Sequence, residues 1–147
     1  MRNKALDRIR KSTSKYISVL QAADVLGFAY INLISKIRSG QEVGFYYEYK
    51  SDQNCYIPRT EFVRSVESWK WTAENIEMLK ESFITVTQAA NAIGCTDKAL
   101  RNDMKVGKDI GFTYRQIGGI WRIHKQSFLN FIEGKEDKKT VDNQNED

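Results

Sequence analysis

The sequence predicts an α+β protein built from two copies of one small module, and three observations carry that prediction. The phrase VLQAADVLG at residues 19–27 returns as VTQAANAIG at residues 86–94, and a self-match at fixed offset dictates architecture before any other reading. Each copy continues into an apolar stripe at helical spacing that ends at a glycine. Each then changes to two aromatic and β-branched runs separated by turn residues, the signature of a hairpin.

The repeat extends well beyond the quoted phrase. Sliding residues 83–117 onto 16–50 without a gap gives eleven identities, among them Ile17/Ile84, Gln21/Gln88, Gly27/Gly94, Leu33/Leu100, Gly44/Gly111 and Tyr47/Tyr114. After a one-residue deletion the match resumes, pairing Ile57 with Ile123, Arg59 with Lys125 and Phe62 with Phe128. Identities fall on glycines, alanines and core-type residues, whereas Tyr30, Ile31 and Ile34 align with Asp97, Lys98 and Arg101. Scaffold is kept and surface changes.

The elements of each module follow in order. A short helix is expected over about 20–26 and 87–93, with Ser18 and Thr85 placed as N-caps and Ala22-Ala23 and Ala89-Ala90 permitting close approach of another helix. Gly27 and Gly94 stop that helix in a tight turn. A second helix, about 29–39 and 96–106, carries Leu33/Ile37 and Leu100/Met104 at i, i+4 and ends at Gly40 and Gly107. Strands follow at 43–50 with 55–58 and at 110–117 with 120–124, joined by Ser51-Asp52-Gln53-Asn54 and by Gly118-Gly119. A third helix closes each module, about 60–68 and 126–133.

The modules therefore occupy residues 16–68 and 83–134. Between them, WKWTAENIEMLKES (69–82) reads as a connecting helix starting near Thr72 with Ile76, Leu79 and Lys80 on adjacent turns, and Trp69 and Trp71 are expected to pack between modules. Residues 1–15 form a basic N-terminal arm, six cations against Asp7, and the nearly apolar-free tail 135–147 is expected to be disordered.

Composition narrows the function classes. A 41% hydrophobic fraction with 29% charged residues suits a folded soluble protein, and no apolar run approaches the roughly 18 residues of a membrane span. The N-terminus lacks the apolar middle of a signal peptide, and the two cysteines have no neighbouring ligands, so a cytoplasmic location is expected with Cys95 in a small buried apolar role. Residues 83–134 carry seven basic against four acidic side chains, and with the basic arm this points to a polyanionic partner. Neither a catalytic constellation nor metal-ligand spacing appears around the single histidine, His124, so no enzyme, metal or cofactor is expected.

Helix, tight glycine turn, helix and hairpin is the outline of a winged helix-turn-helix, whose second helix enters the DNA major groove. SVLQAADVLGFAYINLISKIRSG and TVTQAANAIGCTDKALRNDMKVG resemble the N-terminal half of excisionase and MerR-type winged-helix domains, and YIPRTEF and WRIHKQSF resemble their closing strand and helix start. The likeness covers 16–67 and 83–133. The tandem layout is similar to that of TraN-type accessory DNA-binding proteins of Gram-positive conjugative plasmids. The resemblance implies a double-stranded DNA-binding protein of a mobile element, serving transfer-origin binding, excisive recombination or promoter control, with other transfer or recombination proteins as partners. Two fused modules further imply a monomer with internal pseudo-twofold symmetry, a pseudo-dimer whose two recognition helices meet successive major grooves.

Residue chemistry assigns the contacts. With Leu100 and Met104 inward, Lys98, Arg101, Asn102 and Lys105 face outward, and arginine or lysine can bond guanine while asparagine can bond adenine. The first module offers Tyr30, Ser35 and Arg38, with Ile31 and Ile34 as candidates for thymine-methyl or protein contact, so the second module is the stronger expected reader. Lys50, Arg59, Arg115, Arg122 and Lys125 are placed to hold phosphates, as are Arg8, Arg10 and Lys11 of the arm, which is expected to follow the backbone or enter a minor groove. Winged helices also bind proteins, and the donor-poor first module leaves an interaction adaptor as the rival reading.

Overall fold

The computed structural model describes residues 3–134, so the expectation for the tail lies outside the described residues. The chain divides into two compact units. The first runs to Trp69 and adds Met78–Lys80; the second takes Lys70–Glu77 and continues from Glu81.

The first unit contains α1 (Lys4–Lys11), β1 (Tyr16–Ile17), α2 (Val19–Leu26), α3 (Tyr30–Arg38), β2 (Glu48–Ser51), β3 (Asn54–Pro58) and α4 (Arg59–Glu67). The second contains α5 (Ala73–Ile76), β4 (Phe83–Ile84), α6 (Val86–Ile93), α7 (Asp97–Lys105), β5 (Tyr114–Ile117), β6 (Ile120–His124) and α8 (Lys125–Ile132). Each unit holds a three-stranded antiparallel sheet, in the orders β1-β3-β2 and β4-β6-β5. The protein is therefore α+β, with the two units repeating one topology.

The repeated residues are repeated devices. Ser18 and Thr85 cap α2 and α6, and the glutamine three residues on completes a capping box: Ser18 N–H donates to Gln21 Oε1 at 2.8 Å and Thr85 N–H to Gln88 Oε1 at 3.0 Å. Gly27 and Gly94 end those helices at φ 75° and 80°, where a side chain is strained. The alanine pairs that precede them are fully buried, which lets the following helix approach. Ile17 pairs with Ile57, and Ile84 with Ile123, at the centre of each sheet. Phe45 meets Phe62 edge-on at 5.1 Å and Phe112 meets Phe128 in the same way at 5.1 Å. Tyr47 and Tyr114 each donate a 2.8 Å hydrogen bond to the carbonyl six residues earlier, tying hairpin to loop.

Three expectations are corrected. Residues 4–11 are not a free arm but the helix α1, capped by Asn3 and anchored by buried Leu6 and Ile9 at i, i+3. Asn3 also donates to the Val25 carbonyl at 2.9 Å, fastening α1 to α2. The connecting helix shrinks to the four residues of α5, capped by a Thr72–Asn75 box. Its expected continuation instead turns and bridges to Phe28 at Leu79: Met78 and Leu79 are buried in the first unit, Ala29 N–H donates to the Met78 carbonyl at 2.9 Å, and Lys80 N–H donates to the Gly27 carbonyl at 3.1 Å. Burial of two large side chains with two backbone hydrogen bonds outweighs the weak helix propensity of a short segment. Trp69 packs within the first unit, its ring over Gly44 and tilted on Phe28 at 6.2 Å, and Trp71 lies in the second, where its N–H reaches the Asn91 side chain at 3.2 Å. The third correction is Cys95, which is exposed; Cys55 is half-buried.

Two glycines with positive φ separate backbone strain from packing. A Cβ on Gly44 (φ 96°) would lie 2.6 Å from the Trp69 ring, whereas one on Gly40 (φ 72°) meets nothing within 4 Å. Gly40→Ala should cost about 1–2 kcal/mol from strain alone. Gly44→Ala should cost about 2–4 kcal/mol, because the indole must also move. Urea unfolding of the two variants measures the difference, and equal midpoints would refute the Trp69 packing.

Candidate nucleic-acid interface

The glycine turn aims the second helix of each unit, and burial then decides which of its faces is outward. In α7, Thr96 caps the first turn by accepting from Ala99 N–H at 3.1 Å, and Leu100 and Met104 point into the core. Lys98, Arg101, Asn102 and Lys105 are all exposed and lie at i, i+3, i+4 and i+7, one continuous stripe. None of them enters a salt bridge among the described residues. The one helix face thus carries three cations and an amide with their donors directed to solvent.

The stripe on α3 has different chemistry. Tyr30 is 42% exposed and Ile31 71% exposed, with Ser35 and Arg38 also outward, but Ile34 is only 1% exposed. Ile34 was expected outward beside Ile31; it joins Leu33 and Ile37 instead, because an isoleucine at i, i+3 from Ile37 gains more from widening the buried stripe than from meeting water. Its counterpart in the repeat, Arg101, stays outside.

Arg38 is held by the hairpin of its own unit. Its Nε donates to Asp52 Oδ1 at 3.0 Å and its Nη2 donates to Asp52 Oδ2, a bidentate pair. Tyr49 adds a hydroxyl bond to the same carboxylate at 2.8 Å. The guanidinium first, and the tyrosine hydroxyl second, hold the Asp52 carboxyl down at about 2. The second hairpin has Gly118-Gly119 at its tip, and no carboxylate pairs with Lys105 among the described residues.

The other predicted phosphate contacts divide by unit. In the first, Arg59 is half-buried and spends its Nε on the Ser14 carbonyl at 2.6 Å, while Arg8 lies 3.6 Å from Asp24 and Arg10 lies 3.0 Å from Glu67. Lys11 and Lys50 are exposed. In the second, Arg115 and Arg122 are directly opposite across the β5–β6 ladder, an arrangement of like charges that disfavours pairing unless an anion sits between them. Arg115 also lies over the Phe83 ring at 5.2 Å. Lys125 is half-buried at the start of α8, with its N–H on the Ser82 carbonyl at 2.9 Å.

Sequence reasoning missed four working residues. Asp52 restrains Arg38. Gln21 and Gln88 complete the capping boxes of α2 and α6. His124 is the N-cap of α8, its Nδ1 accepting from Ser127 N–H at 3.2 Å. No helix is long and apolar enough to cross a membrane among the described residues. No family model, curated protein or solved structure matches this chain.

The Asp52 pair has a defined pH window. Its carboxyl falls from an ordinary 3.8 to about 2 on folding, so its contribution is complete above the unfolded value and is lost as pH falls through the folded one. In a carbon-detected titration the Asp52 carboxyl should remain ionised at pH 3.8 and protonate near pH 2; a midpoint at the ordinary value would refute the clamp.

Proposed function

We propose that the chain is a sequence-specific, double-stranded DNA-binding protein whose two units are winged helix-turn-helix modules, with α7 as the principal base-reading helix. The observation that carries this reading is the exposed, unpaired stripe Lys98, Arg101, Asn102 and Lys105. Arginine and lysine recognise guanine edges and asparagine recognises adenine in the major groove, and cations not engaged within the protein are the ones free to displace counterions from phosphates. Arg115, Arg122 and Lys125 supply backbone contacts beside that helix. In the first module α3 brings Tyr30, Ser35 and Arg38, with Ile31 against thymine methyls, so the two half-sites differ in chemistry.

The two modules act as an internal pseudo-dimer that engages successive major grooves, and a cytoplasmic accessory role on a mobile element follows from the resemblance to excisionase and TraN-type proteins. Conjugative transfer, through binding and regulation at a transfer origin, is the favoured setting; excisive recombination or promoter repression uses the same chemistry. A protein-interaction adaptor is the second reading, favoured by the exposure of Ile31 on a helix with few free donors.

Mobility-shift titration against the DNA flanking the gene tests this directly. Affinity should fall steeply between low and moderate salt. Arg101→Ala should lose about 1–3 kcal/mol of specific binding and relax preference at the contacted base pair. Absence of any shift at low salt would reject DNA binding in favour of the adaptor, and an unchanged footprint for Arg101→Ala would reject α7 as the reader.

A further inference from the structure

The two units differ at one place where the repeat should make them alike. In the first, the backbone just after the glycine turn is occupied: the Gly27 carbonyl accepts from Lys80 N–H at 3.1 Å, and Ala29 N–H donates to the Met78 carbonyl at 2.9 Å. Leu79 lies between those bonds, in an antiparallel bridge with Phe28, and its side chain is the nearest group to Gly27. Phe28 and Trp69 fill the space behind it.

In the second unit the equivalent backbone groups are the Gly94 carbonyl and the Thr96 N–H. Neither has a backbone partner among the described residues, and both residues are exposed. Cys95 stands where the first unit has Phe28, and beside it an apolar groove of about 420 Å³ lies open, lined by Ile93, Cys95, Leu100, Ile110, Phe112 and Phe131. Phe131 covers Gly111 as Trp69 covers Gly44, but nothing among the described residues supplies the Phe28 ring or the bridged strap.

We propose that this groove binds an extended segment of a partner protein by a β-bridge, the segment centred on leucine or methionine and followed by a basic residue. The filled copy dictates the backbone chemistry: the residue before the central one offers its carbonyl to Thr96 N–H, and the residue after it donates its N–H to the Gly94 carbonyl. The central side chain lies on Gly94 and reaches the groove that the small Cys95 leaves open, so main-chain bonds supply affinity and the pocket supplies selectivity. Charge supplies the rest. The groove's rim carries Asp103 and Asp109 against Lys108, net acidic within a basic unit, and Asp103 replaces the Lys36 of the first copy. A basic residue after the central one, as Lys80 follows Leu79, matches that rim. A second copy of this chain does not fit the role, because its Met78–Lys80 is already held in its own first unit.

The probe is the strap itself. A synthetic peptide with the sequence IEMLKES, residues 76–82, is titrated into the full-length nitrogen-15-labelled protein. Saturable amide shifts are expected at Gly94, Cys95 and Thr96 and along Ile110–Phe112, with slower alkylation of the Cys95 thiol. A peptide with alanine in place of the leucine should bind about tenfold more weakly, a loss of about 1.4 kcal/mol. Cys95→Phe should fill the groove from within, raise the unfolding midpoint and abolish the shifts. No shifts at millimolar peptide, shifts confined to the first unit, or equal binding by the alanine peptide would overturn the proposal, and the last comparison stands even where the Cys95→Phe variant does not fold. Shifts of the same residues on raising protein concentration without peptide would assign the groove to self-association and overturn the partner assignment. None of these readouts involves DNA, so the proposal and the DNA-binding reading fail independently.

Discussion

A left-handed glycine between two short helices is the constraint on which both units depend. At Gly27 and Gly94 the chain reverses within a single residue, a conformation that a Cβ makes costly. That reversal brings the buried alanine pair of the preceding helix under the start of the next one, so the second helix is set at a fixed angle with only one face left for water. Capping boxes at Ser18 and Thr85 secure the other end of the same short helix. An eight-residue helix would be marginal alone; here both termini are satisfied and the middle is buried. Everything exposed on α3 and α7 is exposed because this turn fixes what lies beneath.

On that shared frame the units have diverged in how they use charge. In the first, Arg8, Arg10, Arg38 and Arg59 each have an acceptor within their own unit. Exposed pairs of this kind add little stability, but they do fix side chains and reduce what is available to an external anion. In the second, the stripe of Lys98, Arg101, Asn102 and Lys105 has no such partners among the described residues, and Arg115 and Arg122 are set against each other across a ladder. The same topology thus holds four arginines on acceptors of their own unit in one copy and leaves the α7 stripe unpaired among the described residues in the other. Module count alone says nothing about equivalence of function.

Much of this was legible in the sequence, for identifiable reasons. The helix–glycine–helix–hairpin order followed from residue types that have few alternatives: glycine after an aliphatic, alanine pairs, and Gly118-Gly119 between β-branched runs. The two-residue strands β1 and β4 were not legible, because periodicity needs more than Tyr16-Ile17 or Phe83-Ile84 to register. Helix α1 was hidden by its charge, although Leu6 and Ile9 at i, i+3 carried the signal. The strap was misread because its helix propensity is local and its burial is not. Arg115 facing Arg122 could have been found by counting outward from the two-residue turn, since hairpin register follows from loop length. The Arg38–Asp52 clamp could not, because it joins a helix end to a hairpin tip that only the folded unit brings together.

The strap also shows why identity in a repeat is a poor guide to where the copies interact with other molecules. Gly27 and Gly94 are identical, and so are the alanine pairs that precede them, yet one turn has its backbone groups paired and the other has no backbone partner among the described residues. The difference arises from residue 28 against residue 95: an aromatic ring buries itself and recruits Leu79 and Trp69, while a cysteine is too small to close the groove. Backbone donors at an exposed turn cost nothing while hydrated, so the open copy is not a defect of folding. It is a site whose hydrogen-bonding geometry is already built and whose apolar half is missing, and that combination limits what can complete it to an extended chain with a side chain of the right size.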